Sequence, residues 1–410
     1  MPKSKPLSPL RVDVVIVGAG LVGATLACAL AQGGIGVALV DREDPARGLA
    51  AGFDGRASAL ALSSRRLFEA LGLWAGLADH AAPILDIRVS EARSPLFLHY
   101  DSRATGTAPF GFMVENRHLR RALAEHLPAQ PRIRLFAPAR VGALERTAAG
   151  VVARLADSRA IVAPLAVGAD GRTSETRTGA GIRVTAWDYD QVGIVCTVAH
   201  ERSHDFVAHE HFLPAGPFAI LPLLENRSSI VWTERADLAP AIMALDDAEF
   251  LFELERRFGD FLGRLRVVGP RWAYPLALQF AETAVAERLA LIGDAAHAMH
   301  PIAGQGLNMG LRDVAALAEV LVDARRLGLD LGAAAVLARY QRWRRFDNTL
   351  MLAMTDGLNR LFSNDIGPLR LARDLGLGLV NRLPPLKAFF TRHAMGVVGE
   401  LPRLMRGEVL

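Results

Sequence analysis

A chain of 410 residues exceeds one usual domain and can bury a sizeable core, so two or three domains are expected. With 51% hydrophobic residues and a formal net charge of +4 it fits a soluble globular enzyme. The 47 basic residues are nearly matched by 43 acidic ones and no basic run is interleaved with aromatics, which argues against a nucleic-acid partner.

Met1–Arg11 is polar and broken by prolines, without the apolar stretch of a signal peptide. Val14–Val40 carries no charge and would pass for a membrane span. Its six glycines instead divide it into a strand at Val12–Val17, a helix at Leu21–Gln32 and a strand at Val37–Val40. Parallel strands covered on both faces are continuously apolar, so this is a βαβ unit. Within it Gly18, Gly20 and Gly23 fit GxGxxG, directly after a strand and opening a helix. The first glycine makes the turn, the second lets a pyrophosphate approach the backbone, and the third lets helix and strand pack closely. Asp41, 18 residues beyond Gly23, ends the second strand where a carboxylate can bond ribose hydroxyls. The motif points to a dinucleotide without saying which. Cys28 and Cys196 lie far apart in apolar segments, which suggests a reduced, cytoplasmic setting and no metal site.

Asp54-Gly55-Arg56 forms a loop, followed by a helix from about Ser63 to Leu71; on spacing alone Arg56 reads as a surface charge. Ile84–Val89 and Leu96–Tyr100 read as strands that interrupt the α/β pattern. Asn116 is a candidate cap for a helix carrying Arg117, Arg120 and Arg121. Arg117, a cation in the first turn, opposes the helix dipole and hints at an external anion. Strands at Ile133–Phe136, Arg140–Glu145, Gly150–Leu155 and Ala160–Val167 are expected to rebuild the first sheet and end in the acidic turn Asp170-Gly171, with Ser174 and Arg177 close behind.

From Gly181 the texture changes to short alternating strands at Val192–Val198, Phe206–Phe212, Phe218–Leu223 and Ser229–Thr233, then a helix at Ala248–Phe258. The chain returns at Leu289–Asp313, LALIGDAAHAMHPIAGQGLNMGLRD, a buried strand, a turn at Gly293-Asp294, a loop broken by Pro301 and a helix opening at Gly304–Gly306. A glycine-opened helix start favours an anion or an electron-rich ring edge. Helices follow at Leu311–Leu327 and Ala333–Phe362, with weaker segments to Leu404. Over 339–410 there are 12 basic and 6 acidic residues beside many leucines, either a tail packed on the core or a surface that rests on an anionic membrane.

Three motifs in order, GxGxxG with Asp41, Asp170-Gly171, and Gly293-Asp294 with Pro301 and Gly304–Asn308, resemble the FAD-dependent aromatic hydroxylases of the para-hydroxybenzoate hydroxylase fold. HPIAGQGLNMGLRD, Asp54-Gly55-Arg56, Tyr340, Asp347, Thr355–Leu358, Leu361–Ser363 and Asn381 are similar to the ubiquinone-biosynthesis hydroxylases within that group. The resemblance implies an α/β fold: a GxGxxG FAD-binding domain (1–83, 101–180 and 285–330), an inserted α+β substrate domain (84–100 and 181–284), and a C-terminal helical region (331–410) that could face a membrane. It implies that Gly18, Gly20 and Gly23 hold the FAD pyrophosphate and Asp41, with Arg42 beside it, the adenosine end. Arg56 and Arg117 would lie along the phosphates and ribityl chain, Asp170 near the pyrophosphate, and Asp294 on the ribityl chain or phosphate. Gly304, Gly306, Leu307 and Asn308 would meet the pyrimidine edge of the flavin.

The implied reaction is ring hydroxylation of a prenylated phenol by O2 through a flavin hydroperoxide, with NAD(P)H or a separate reductase as donor. His297, His300 and Pro301 flank the implied reaction zone; a histidine in such a loop is more often a structural hydrogen-bonder. A flavin-dependent reductase and a flavin-binding scaffold of a quinone-biosynthesis complex remain as alternatives. The Trp-x-Trp-x-Ile-Pro element of halogenases does not occur. Peripheral attachment to the inner face of a membrane would suit the substrate's greasy tail.

Overall fold

Four runs of small and branched apolar residues, Val14–Val17, Val37–Val40, Leu165–Gly168 and Leu289–Leu291, pair in parallel at the centre of one sheet. A computed structural model describes residues 9–44, 55–91, 97–104, 109–298, 305–345, 347, 395–397 and 399–410. The six-stranded order is Val285–Ala286, Leu289–Leu291, Leu165–Gly168, Val14–Val17, Val37–Val40, Ile133–Phe136. Alternate residues face opposite layers. Val14, Ile16, Val37, Leu39, Leu165 and Val167 pack against the helices Leu21–Gln32 and Gln305–Arg326. Val15, Ala38, Val40 and Ala166 pack against a separate sheet.

That separate sheet corrects one expectation. Val141–Thr147, Gly150–Leu155 and Ala160–Ala163 do not rebuild the first sheet; with Leu10–Arg11 they form a four-stranded sheet of their own. The expected single strand Ala160–Val167 is cut at Pro164, which has no N–H to continue a ladder, so its two halves belong to different sheets.

An eight-stranded sheet forms the second layer, in the order His297–Ala298, Leu265–Ala281, Val184–His200, Arg227–Arg235, Gly216–Leu223, Val207–Leu213, Asp86–Glu91, Phe97–Asp101. Helices Ala239–Ala244 and Asp247–Phe258 cover its back, burying Phe250, Leu254 and Phe258 against Ile194, Phe218 and Trp232. The 17-residue strand Leu265–Ala281 is hidden in the sequence because Gly269, Pro270 and Pro275 read as breaks. The sheet absorbs two of these residues in a bulge: Val195 pairs with Trp272 and Thr197 with Val268, so Gly269–Arg271 loops out opposite Cys196.

A three-stranded sheet, Ala57–Ala61, Gly111–Glu115 and Ala81–Ile84, links the two layers. The helix Asn116–His126 begins without the expected cap, because the Asn116 side-chain oxygen accepts from Ser58 Oγ at 2.6 Å. Helix Gln305–Arg326 and a helix at 334–345 follow. Leu404 and Met405 are buried in the core, and Arg403 bonds Asp323 at 2.5 Å. Thr355–Leu358, Leu361–Ser363, Asn381 and most of the expected apolar tail lie outside the described residues. Among the described residues no helix is long and apolar enough to cross a membrane.

Candidate functional site

Strands Val14–Val17, Leu165–Gly168 and Leu289–Leu291 are parallel neighbours, so the turns after them open on the same edge. Those turns are the three sequence motifs. The carboxyl edge of a parallel sheet is where such folds bind ligands. The loops interlock: Gly18 N–H donates to Val40 O at 2.8 Å, Ala169 N–H to Val17 O at 2.8 Å, and Ile292 N–H to Gly168 O at 3.0 Å. Val22 packs against both Gly293 and Gly310, where an added Cβ would lie 3.2 Å and 2.7 Å from its side chain. The first helix therefore touches the third motif directly.

The glycines divide by what surrounds them. At Gly18, with φ +105°, a Cβ would stand 2.3 Å from Ala169 O, and at Gly23 it would stand 2.0 Å from Gly18 O. These two are demanded by the protein's own packing. At Gly20 and Gly306 a Cβ would meet nothing within 4 Å. No side chain caps the helix that Gly20 opens, which leaves its first backbone N–H groups to face an anion. That combination fits a dinucleotide pyrophosphate.

The acidic residues hold the edge in shape. Asp41 accepts from Ala19 N–H at 2.5 Å and Glu43 N–H at 2.8 Å, fixing the glycine loop to the end of the second strand. Asp170 accepts from Ser174 Oγ at 2.5 Å and Thr176 N–H at 2.9 Å. Arg177, buried, spans from this loop to the next, donating to Arg172 O at 2.9 Å and Ala295 O at 3.0 Å. Asp294 projects from its turn with accessible surface, yet the protein encloses it closely. That enclosure raises its carboxyl above the ordinary carboxylate value, while His297 and Arg172 act in the opposite direction.

Beneath the Asp294 turn lies a buried ionic chain. Asp313, 0% exposed, accepts from Gly293 N–H at 3.0 Å and Arg344 Nε at 2.7 Å, and His297 Nε2 lies 2.6 Å from the same carboxylate. Arg344 continues to Asp347 at 2.7 Å, and Arg312 joins Asp347 at 3.3 Å and Gly396 O at 2.7 Å. His297 is therefore a buried partner of Asp313. Burial works against ionisation of Asp313, but His297 and Arg344 outweigh it and hold its carboxyl below the usual range.

Other expected residues are placed as follows. Arg42 is exposed, 3.8 Å from Glu43. The Arg56 guanidinium lies 5.2 Å from the Trp272 ring centre, so it is a cation–π partner of the second layer. Arg117 donates to Glu115 at 2.6 Å, and Glu115 also takes Arg227 at 2.7 Å. The Asn308 side chain accepts from Ala61 N–H and Ser64 Oγ and donates to Ala59 O, each at 2.8 Å, stapling the helix start to the linking sheet. Leu307 packs on the main core. Asp54, His300, Pro301 and Gly304 lie outside the described residues. Asp313 and Arg344 are not singled out by motif spacing, although the run from Gly293 to Asp313 holds the signal of a carboxylate two turns into a helix.

Residues 11–345 match the FAD binding domain family. Ubiquinone hydroxylase UbiL of Rhodospirillum rubrum is 59% identical over 97% of this chain and 93% of its own. The chain belongs to the FAD-dependent ubiquinone hydroxylases. A second relative of this ubiquinone hydroxylase, the 3-demethoxyubiquinol 3-hydroxylase of Escherichia coli, is 36% identical over 94% of this chain and 98% of its own. The mitochondrial ubiquinone biosynthesis monooxygenase of Homo sapiens is 32% identical over 92% and 90%. The fold of the ubiquinone hydroxylase is shared by p-nitrophenol 4-monooxygenase of Pseudomonas putida, with a TM-score of 0.76 and 20% identity over 94% of this chain and 97% of the other.

Proposed function

We propose that this protein hydroxylates the aromatic ring of a prenylated phenol intermediate of ubiquinone biosynthesis, using O2 and electrons from NAD(P)H or a separate reductase. The observation that carries the reading is the meeting of the three motif turns on one sheet edge, where Gly20 and Gly306 leave the backbone open. Gly18, Gly20 and Gly23 would hold the FAD pyrophosphate, Asp41 and Arg42 the adenosine end, and Arg56, Arg117 and Asp170 the phosphates and ribityl chain. Asp294 would bond the ribityl chain or a phosphate, and Gly304 to Asn308 would meet the pyrimidine edge. Bound FAD supplies the activation of O2 and the transfer of one oxygen atom to the ring.

The chain's own contribution is placement. The enclosure that raises Asp294 also strengthens any hydrogen bond its carboxyl makes to a ligand hydroxyl. The start of the 22-residue helix Gln305–Arg326 would favour negative charge on the reduced ring. His297 acts through Asp313 as a positioning residue for the Gly293 turn; His300 and Pro301 are the candidates beside the reacting atoms.

A strain lacking the protein should accumulate a prenylated phenol short of one hydroxyl, and purified protein should place label from isotopic O2 into that compound. An unlabelled, reduced product would make the protein a reductase. Normal quinone levels in a strain rescued by folded, flavin-free Asp294→Ala protein would make it a scaffold. The segment 348–394, with six basic and three acidic residues, is proposed to rest on an anionic membrane. Flotation with anionic vesicles tests this; undiminished binding after charge reversal at Arg382, Lys387 and Arg392 refutes it.

A further inference from the structure

The eight-stranded sheet turns its back to two helices and its front to the FAD-binding segment. Contacts fix that front: Thr197 Oγ1 donates to Gly55 O at 3.3 Å, Arg227 to Glu115 at 2.7 Å, and Arg56 lies over Trp272. Strand register draws one row across it: Val89, Glu210, Ala219, Val231, Val195, Trp272. Five members are apolar and one is a carboxylate. Along its own strand Glu210 shares the face with Ala208 and Phe212, both buried, while His209 and His211 point to the other side, toward Phe261 and Ser90.

Glu210 differs from the other enclosed acids. Asp313 is met by Arg344, Glu115 by Arg227 and Glu234 by Arg257. Among the described residues Glu210 has no hydrogen-bond or ion-pair partner, and burial alone pushes its carboxyl up to about 7. Glu210 nevertheless keeps some accessible surface although protein surrounds its carboxyl. An unpaired acid in an apolar wall is costly to the fold, and such groups concentrate where a ligand completes them.

We propose that Glu210 is the residue that receives the substrate's ring hydroxyl. Its carboxylate accepts the hydrogen bond of the phenolic O–H, and the apolar row carries the ring face and prenyl chain. The small Ala219 beside it leaves room for the ring. Accepting that hydrogen bond shifts electron density into the ring, which makes its carbons better nucleophiles. The assignment rests on reading the protein as a hydroxylase of prenylated phenols.

The test uses the full chain loaded with FAD, with ortho-geranylphenol and its O-methyl ether as probes, and binding read from the flavin absorption spectrum. Wild-type protein should bind the phenol at least about ten-fold more tightly than the ether. Glu210→Leu should bind the phenol about ten- to hundred-fold more weakly, the span for losing one hydrogen bond to a charged group, and Glu210→Gln, which keeps a neutral acceptor oxygen, should lose less, with the ether unchanged in both. Flavin content reports that the variants are folded, and Glu210→Leu should melt no lower than wild type because it removes an unpaired acid. If Glu210→Leu keeps the full preference for phenol, or loses both probes equally, the assignment to Glu210 falls. Hydroxylation of ortho-geranylphenol by wild type would then still uphold the broader reading, whereas wild-type protein that binds neither probe overturns both.

Discussion

Replacing Asp313 with alanine should remove the support of the Asp294 turn while leaving the turn's own residues intact. The carboxylate is fully buried and meets Gly293 N–H, His297 and Arg344, the last only 1% exposed. Deleting one partner of a buried ion pair leaves the other charged and dry, which costs about 3–5 kcal/mol. Arg344 keeps Asp347, which places the expected loss toward the lower end of that range, and Asp313→Asn, which retains one acceptor oxygen, should lose less. Denaturant unfolding followed by flavin fluorescence measures both the midpoint and the fraction of FAD retained. Acid adds a second signature. The Asp313 carboxyl is depressed in the folded chain, so its stabilisation is fully present above the unfolded value of about 4 and is lost as pH falls through its own lower pKa. The Asp313→Asn protein should therefore show a shallower loss of stability below about pH 4 than wild type. An alanine variant within about 1 kcal/mol of wild type, with full flavin and an unchanged acid limb, would refute the network's role.

Gly20→Ala and Gly23→Ala should separate cofactor approach from packing. The first, with nothing within 4 Å of its Cβ, should leave the melting of flavin-free protein unchanged but weaken FAD binding; the second, 2.0 Å from Gly18 O, should destabilise the flavin-free protein by about 1–3 kcal/mol. Asp294→Asn should release flavin faster than wild type in gel filtration, with circular dichroism unchanged. Removing Leu404–Leu410 deletes the buried Leu404 and Met405 and should lower stability by up to about 3–6 kcal/mol in denaturant titration, so it is no neutral probe of membrane binding.

The parallel sheet and its glycine turns were legible because their rules are local. A glycine that must accept φ +105°, or that stands 2.0 Å from a backbone oxygen, leaves a mark that needs no knowledge of the rest of the chain. The second layer was less legible. Pro270 and Pro275 look like strand breakers until a bulge and a partner strand accommodate them, and Pro164 divides one apolar run between two sheets. Arg56 looked like a surface charge because the ring beneath it, Trp272, lies over 200 residues away. Glu210 gave no signal, since within the expected strand Phe206–Phe212 only the pairing register shows which side of the sheet it takes.

The parallel pairing of Leu165–Gly168 with both Val14–Val17 and Leu289–Leu291 also sets an order of events during synthesis. The partner strand Leu289–Leu291 leaves the ribosome about 120 residues after Leu165–Gly168, which at about 5–20 residues per second is roughly 6–24 s. Throughout that interval Leu165–Gly168 presents an unpaired apolar sheet edge, the kind of edge that recruits neighbouring chains. Chains truncated at Arg288 should accordingly pellet under conditions in which the full chain stays in solution. The nascent chain would need that edge shielded until its partner strand arrives.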